Sequence, residues 1–221
     1  MTLNPTAIRV LCFGDSNTWG QRPDKLDRYP ANIRWTGKLQ ESLGGKYEII
    51  EEGLGGRTVN LDHRERSHRN GRTYFLPCVD SHSPFDVLVL MLGTNDLKIQ
   101  FQRSPQAIAD GIGELVQLAK ERTKNQSGEM LKTILMSPVH INPSAKDFET
   151  LCKDYFDIES SEKSKKLAFH IEKVARDNDS SFLDAGKLVT TGDDGLHLDE
   201  QAHATLAVAL AKQIQALTLS K

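Results

Sequence analysis

Along the chain, short uninterrupted apolar runs alternate with longer stretches in which apolar residues return every third or fourth position. The first kind fits strands buried on both faces and the second fits amphipathic helices. Their alternation predicts an α/β fold, a parallel sheet covered by helices on both sides in three α/β/α layers. Five strands are expected, over residues 8–13, 47–50, 87–92 and 133–136, with a weaker one at 181–183. The middle run, VLVLML, shows no polar alternation. A helix is expected over 33–43, ending at Gly44, and Ser104 followed by Pro105 reads as an N-cap with proline at the first helical position. Ile108, Ile112, Leu115 and Ala119 then share one face. Leu167, Ile171 and Val174 repeat the spacing, as do Leu206, Leu210, Ile214 and Leu217 in a last helix that Asp199 can cap. These stripes are core.

Two stretches, 21–31 and 57–84, follow neither period, and loops of that length are more often functional than idle. The second holds the run DHRERSHRNGR, in which Asp62 and Glu65 interrupt the basic residues. That favours a solvated or subunit-contacting loop over a basic patch. No linker divides the chain, so one domain is expected over residues 1–221.

Composition narrows the function. With 221 residues, 38% of them hydrophobic and 26% charged, collagen-like, disordered and coiled-coil chains are excluded. A chain this long buries roughly 70–75% of its unfolded surface and needs neither disulfide nor structural metal. Lys and Arg total 28 against 30 Asp and Glu, a net charge of -2 that gives no global field for a phosphate backbone, so nucleic acid is not an expected partner. Cys12, Cys78 and Cys152 are odd in number and widely spaced, without a C-x-x-C, and read as reduced cysteines of a cytoplasmic protein. The first residues lack a basic segment followed by an apolar one, and no run approaches the ~20 apolar residues of a spanning helix. Stable membrane insertion is not expected.

The chemistry collects where strands end. Ser16, in Gly14-Asp15-Ser16, lies just past the carboxyl end of the first strand, where open α/β sheets bind ligands. Taken alone, Gly-Asp-Ser is equally an ordinary turn. A serine nucleophile needs an imidazole base and a carboxylate to orient it, and Asp194-Gly-Leu-His197 supplies both in a loop after the fifth strand. Spacing prefers Asp194 over Asp193 for that role. The other histidines, His63, His68, His82, His140, His170 and His203, have no carboxylate so placed and read as surface or packing residues. Acyl transfer also requires donors for the developing oxyanion. Backbone amides of Ser16 and Gly56, the latter in Gly53-Leu54-Gly55-Gly56 after the second strand, and the side-chain amide of Asn95, in Gly93-Thr94-Asn95-Asp96 after the third, make a three-donor hole. Asp15, Trp19, Leu54 and Thr94 flank these positions and are expected to line the substrate pocket, Trp19 as the wall that restricts the acyl chain.

GDS, the glycine at 56, GTND and D-x-x-H, in that order over residues 14–197, resemble the four signature blocks of the SGNH, or GDSL, hydrolase superfamily. The longer strings LCFGDSNTWG, RWTG, IEEGLGGRT, LMLGTND and DGLH resemble its bacterial arylesterase/acyltransferase branch. The resemblance implies a flavodoxin-like sheet of order 2-1-3-4-5, with Ser16 as nucleophile, His197 as base and acid, and Asp194 as its partner. It also implies Ser16, Gly56 and Asn95 as oxyanion donors. One departure is Asn17, where the GDSL name has leucine. The expected function is hydrolysis of short-chain, acetyl-like carboxylic esters of small molecules without metal or cofactor. Acyl transfer to alcohols or peroxide, and self-association, are further implied. A carbohydrate or small-molecule deacetylase stays open as a rival. So do a non-catalytic flavodoxin-like binding module, which lacks G-x-G-x-x-G, and a metal-dependent hydrolase using Asp62, His63 and His68.

Overall fold

Each of the five apolar runs forms a strand of one sheet. The computed structural model describes residues 4–25, 27–63 and 66–219; Glu65, one of the two acids expected to interrupt the basic run, lies outside them. Strand β1 (Ile8–Gly14) leads into a one-turn helix α1 (Ser16–Trp19), followed by α2 (Trp35–Leu43), β2 (Tyr47–Gly53), α3 (Gly71–His82) and β3 (Val87–Met91). Then come α4 (Pro105–Arg122), β4 (Lys132–Ser137), α5 (Phe148–Leu151), α6 (Ile158–Asp177), β5 (Ser181–Asp184), α7 (Ala185–Leu188) and α8 (Glu200–Leu219). All strand pairs are parallel and the order is β2-β1-β3-β4-β5, as expected. Gly14 pairs with both Gly53 and Met91, so β1, β2 and β3 end side by side.

Strand periodicity sorts the core into two layers. Leu11, Phe13, Leu88 and Leu90 point toward Phe75 of α3, Ile108 and Ile112 of α4, and Leu167 and Ile171 of α6. Val10, Cys12, Val87, Val89 and Met91 point the other way, onto Trp35 and Leu39 of α2 and Leu206, Leu210 and Ile214 of α8. Each such side chain contributes roughly 1.5–3 kcal/mol on leaving water. The expected caps are present: Ser104 accepts from the Ala107 N–H at 3.2 Å and Asp199 from that of Ala202 at 2.7 Å. Asp157 caps α6 in the same way, accepting from Ser160 at 2.8 Å.

Two expectations need correction. The helix expected from residue 33 starts at Trp35, because the N–H groups of Ile33 and Arg34 both turn back onto the Pro30 carbonyl. The stretch 57–84 is not loop throughout, since Gly71–His82 forms α3. Its signal is faint: Asn70 makes no side-chain cap, Pro77 interrupts the helix, and Gly71, Phe75, Cys78 and Val79 are its buried residues. Among the described residues, no helix is long and apolar enough to cross a membrane.

Candidate active site

Three strand ends and the loop before α8 meet over the carboxyl edge of the sheet. At the first, the chain must turn from β1 into α1 within van der Waals contact of its neighbours. A Cβ on Gly14 would stand 2.0 Å from Thr18 Oγ1 and 2.8 Å from the Met91 carbonyl, so only glycine fits. Asp15 then caps α1 by accepting from the Asn17 N–H at 2.9 Å, which sets the buried Ser16 at the helix start.

Ser16 Oγ lies 2.9 Å from His197 Nε2, and His197 Nδ1 lies 2.5 Å from Asp194 Oδ2. A carboxylate accepts only, so Nδ1–H donates to Asp194 and Nε2 is left to accept the serine proton. Asp194 Oδ1 also accepts from the backbone N–H groups of Leu196, at 2.9 Å, and His197, at 2.8 Å. Burial pushes the Asp194 carboxyl up, but the hydrogen bonds from the His197 ring and these amides outweigh it and hold the group below the usual carboxylate range. The arrangement can draw a proton from a hydroxyl and steady the imidazolium that results. It brings Ser16, His197 and Asp194 together and leaves Asp193 outside, with its carboxylate 3.8 Å from Lys146.

Asn17, the departure from the GDSL name, has a definite task. Its Nδ2 donates to the Leu196 carbonyl at 3.2 Å and its Oδ1 accepts from the Leu198 N–H at 3.0 Å. The residue after the serine therefore clamps the loop that carries the histidine, which leucine in that position has no polar group to do.

On the opposite side, Gly56 sits at φ +81°, a conformation costly for any side chain, and Asn95 Nδ2 donates to the Arg57 carbonyl at 3.1 Å. Arg57 is itself buried. It donates to the Gly14 carbonyl at 2.9 Å and stacks 4.1 Å over the Phe13 ring, tying the loop after β2 to the end of β1. Asp96, fully buried, accepts from the Val59 N–H at 2.9 Å and from Arg103 at 2.8 Å. Burial raises its carboxyl to about 6 against those hydrogen bonds, and that of Asp15 to about 6 likewise.

A cleft of about 380 Å³ opens over Ser16, with Gly56, Thr94, Asn95, Asp194 and His197 in its walls. Of the four residues expected to line the pocket, Thr94 does. Asp15 is spent on its cap beneath the floor, Leu54 is held through its backbone N–H to the Gly14 carbonyl, and the Trp19 ring lies under the Arg28 guanidinium, 5.3 Å away. None of these three lines the cleft. The walls come instead from segments that resisted sequence assignment or carried no motif: His63, Arg66, Lys98, Cys152, Tyr155 and Phe156. His63, expected at the surface or in packing, faces the cleft.

Metal-ligand geometry is found elsewhere. Among the described residues, Glu52, Cys78 and His82 form the one group with ligand atoms within 4.8 Å of one another, and Asp62, His63 and His68 do not converge. Glu52 already accepts from Tyr74 at 3.2 Å and is hydrogen-bonded to His82 at 2.8 Å, while burial pushes the Cys78 thiol up to about 12. This reads as a packed polar cluster under the loop after β2.

Comparison with known proteins places this geometry. Est24, a carbohydrate acetylesterase from Sinorhizobium meliloti, is 36% identical with a TM-score of 0.86, over 95% of this chain and 99% of its own. The aryl esterase of M. smegmatis is 35% identical with a TM-score of 0.87, over 96% and 100%. The uncharacterized lipoprotein YqeF of Bacillus subtilis (strain 168) is 32% identical over 133 residues, 60% of this chain; the match spans 49% of the lipoprotein, about half its length. The family model for GDSL-like lipases and acylhydrolases matches residues 12–205, from the strand before Ser16 to the helix after His197, and the chain belongs to the GDSL-like Lipase/Acylhydrolase family.

Proposed function

We propose that the chain is a serine esterase that cleaves short-chain, acetyl-like carboxylic esters through an acyl-enzyme. The observation that carries this reading is the unbroken hydrogen-bonded chain from Asp194 through His197 to a Ser16 hydroxyl that opens into a cleft shared with Gly56 and Asn95. Ser16 Oγ attacks the ester carbonyl as His197 Nε2 takes its proton. The oxyanion is held by the backbone amides of Ser16 and Gly56 and by Asn95 Nδ2. His197 then protonates the leaving alcohol, and water, activated by the same imidazole, releases the acid. The likeness to an aryl esterase and to a carbohydrate acetylesterase supports the reaction class.

Hydrolysis of p-nitrophenyl esters from acetate to laurate, by wild type and Ser16→Ala together, tests it. Turnover of the short esters that vanishes in Ser16→Ala is the expected result. Turnover that survives in the variant refutes the mechanism.

Deacetylation of a carbohydrate or other small molecule is the second reading, favoured by the likeness to Est24. Release of acetate from peracetylated sugars, measured beside the aryl esters, separates the two. Transfer to an alcohol or to peroxide in place of water belongs to the same proposal, and the ratio of new ester to free acid in aqueous alcohol measures it. We infer a cytoplasmic location from the buried, unpaired Cys12, Cys78 and Cys152. Cell fractionation tests it.

A further inference from the structure

Lys98 ends the turn that starts at Asn95, and its main chain is held on both sides: its own N–H reaches back to the Asn95 carbonyl and that of Ile99 donates to Tyr155 at 2.9 Å. Lys98 is 7% exposed and stands in the wall of the cleft. Its ammonium lies 5.4 Å from the centre of the Tyr155 ring and, among the described residues, makes no hydrogen bond or ion pair. Three arginines of the chain, by contrast, do find partners. Arg22 is paired with Asp24 and Asp27, Arg103 with Asp96, and Arg34 with Glu51. Two buried carboxylates, Asp15 and Asp96, lie within electrostatic range of Lys98, yet Asp15 is taken by the Asn17 amide and Asp96 by Arg103 and Val59.

A second cation stands in the same cleft, within electrostatic range of Lys98. The Arg66 guanidinium lies so close over Gly56 that a Cβ there would come within 2.8 Å of Nη1, and its hydrogen bond among the described residues, to the Gly55 carbonyl, is long at 3.4 Å. The cleft is thus lined by Arg22, Lys25, Arg66 and Lys98 against Asp24 and Asp194, in a chain whose net charge is -2. A nearly buried ammonium without a counter-ion is costly, and the cost is relieved when a ligand brings the missing charge.

We propose that Lys98, together with Arg66, forms an anion subsite beside the reacting serine, so that the preferred ester carries a carboxylate or a similar anionic group. The proposal rests on the serine-esterase reading and names its substrate class. Burial first, and then Arg66, lowers the Lys98 ammonium to about 8, so it is charged at neutral pH and discharges in mild alkali. Asp15 and Asp96 oppose that shift, and the Cys152 thiol, pushed up to about 12, stays neutral across the range.

The test compares kcat/KM for chain-matched pairs of esters. Aryl monoesters of malonate to adipate are set against neutral aryl esters of equal length, which puts the charge on the acyl side. Acetoxybenzoate is set against phenyl acetate, which puts it on the alcohol side. In wild type at low salt one of the two arms favours the anion by about tenfold or more. In Lys98→Met that ratio falls to about one or below, whatever happens to the neutral rate; in Lys98→Arg part of it remains. The wild-type ratio also declines as pH rises through about 8. A ratio near one in wild type, or an equal ratio in Lys98→Met, overturns the subsite while leaving the esterase intact. Should wild type cleave neither ester, the esterase reading fails instead. The subsite is then read from calorimetric binding of glutarate to Ser16→Ala protein: binding lost on adding Lys98→Met supports it, and no binding overturns it.

Discussion

The two sides of the cleft are built differently. The inner side, which carries Ser16, Asn95 and His197, is tied together by buried side chains that each bond to the backbone of another segment. Asn17 holds the loop at Leu196 and Leu198, Arg57 holds Gly14, and Asp96 holds Val59. Such bonds are worth roughly 0.5–1.5 kcal/mol each between neutral groups and roughly 1.5–3 kcal/mol where one partner is charged, and cost more when one partner is lost. The outer side consists of residues 21–25, Arg66 and the segment around Leu151 and Tyr155, which are 45% and 48% exposed. Residues 21–25 are fastened by surface ion pairs such as Arg22 with Asp24, at 2.9 Å. Pairs of that kind contribute little. The contrast separates two tasks: the inner side fixes the reacting geometry, and the outer side selects what enters and can change without disturbing it.

The comparison is sharpened most by Asp194→Asn. The amide oxygen can still accept from Leu196 and His197, so the loop and the melting temperature should hold, but the amide no longer accepts from Nδ1–H and the ring is released to the wrong tautomer. A fall in kcat of about 10⁴ on p-nitrophenyl acetate is expected. A fall below about tenfold would mean that Asp194 is structural only.

Arg103→Met follows, because it leaves Asp96 buried without its cation. The expected loss in urea unfolding reaches about 3–5 kcal/mol only where Asp96 is ionised in both proteins. The Asp96 carboxyl already sits near 6, above its unfolded value of 3.8, so the protonated form favours folding below pH 3.8 and that gain is lost as pH rises through 6. Without Arg103 the folded value climbs further, so the deficit of the variant should stay small up to about pH 6 and grow above it by about 1.4 kcal/mol per pH unit until the raised value is passed. A deficit independent of pH would show that Arg103 serves through packing alone. Asn95→Ala ranks third: kcat falls by about 10²–10³ with KM little changed, as for loss of one oxyanion donor.

How far the sequence was legible divides along the same line. The strands were plain because β1 and β3 are buried on both faces and their runs need no polar alternation, and the inner side was plain because its residues fall at strand ends in short blocks with recognisable chemistry. Sheet order followed from the resemblance, not from periodicity. Helix α3 was hidden by Pro77 and by an Asn70 that does not cap. Asn17 looked like a mere departure because its two partners, Leu196 and Leu198, are about 180 residues away in sequence. The outer side was not legible at all. Whether Trp19 or Lys98 faces the cleft depends on which loops cross over the sheet edge, and no local pattern encodes that. The structure turns the tryptophan under Arg28 and the lysine inward.

The smallest effect belongs to the outer side itself. Arg22 spans Asp24 and Asp27 in a short loop closed by the bridge between Gln21 and Arg28. Replacing it with alanine removes two exposed ion pairs but no buried contact of the sheet edge, and its loop is also held by the backbone bond from Tyr29 to Gly20 at 2.8 Å. The melting temperature of Arg22→Ala should stay within about 2 °C of wild type. The ranking of ester substrates, by contrast, should shift, because Arg22 stands in the cleft wall and its loss reshapes the entrance. A drop of many degrees would break the comparison, since it would make the rim as firmly built into the fold as the residues around Ser16. An unchanged ranking together with an unchanged melting temperature would move selection of the substrate off this loop and onto the Lys98 and Tyr155 side of the cleft.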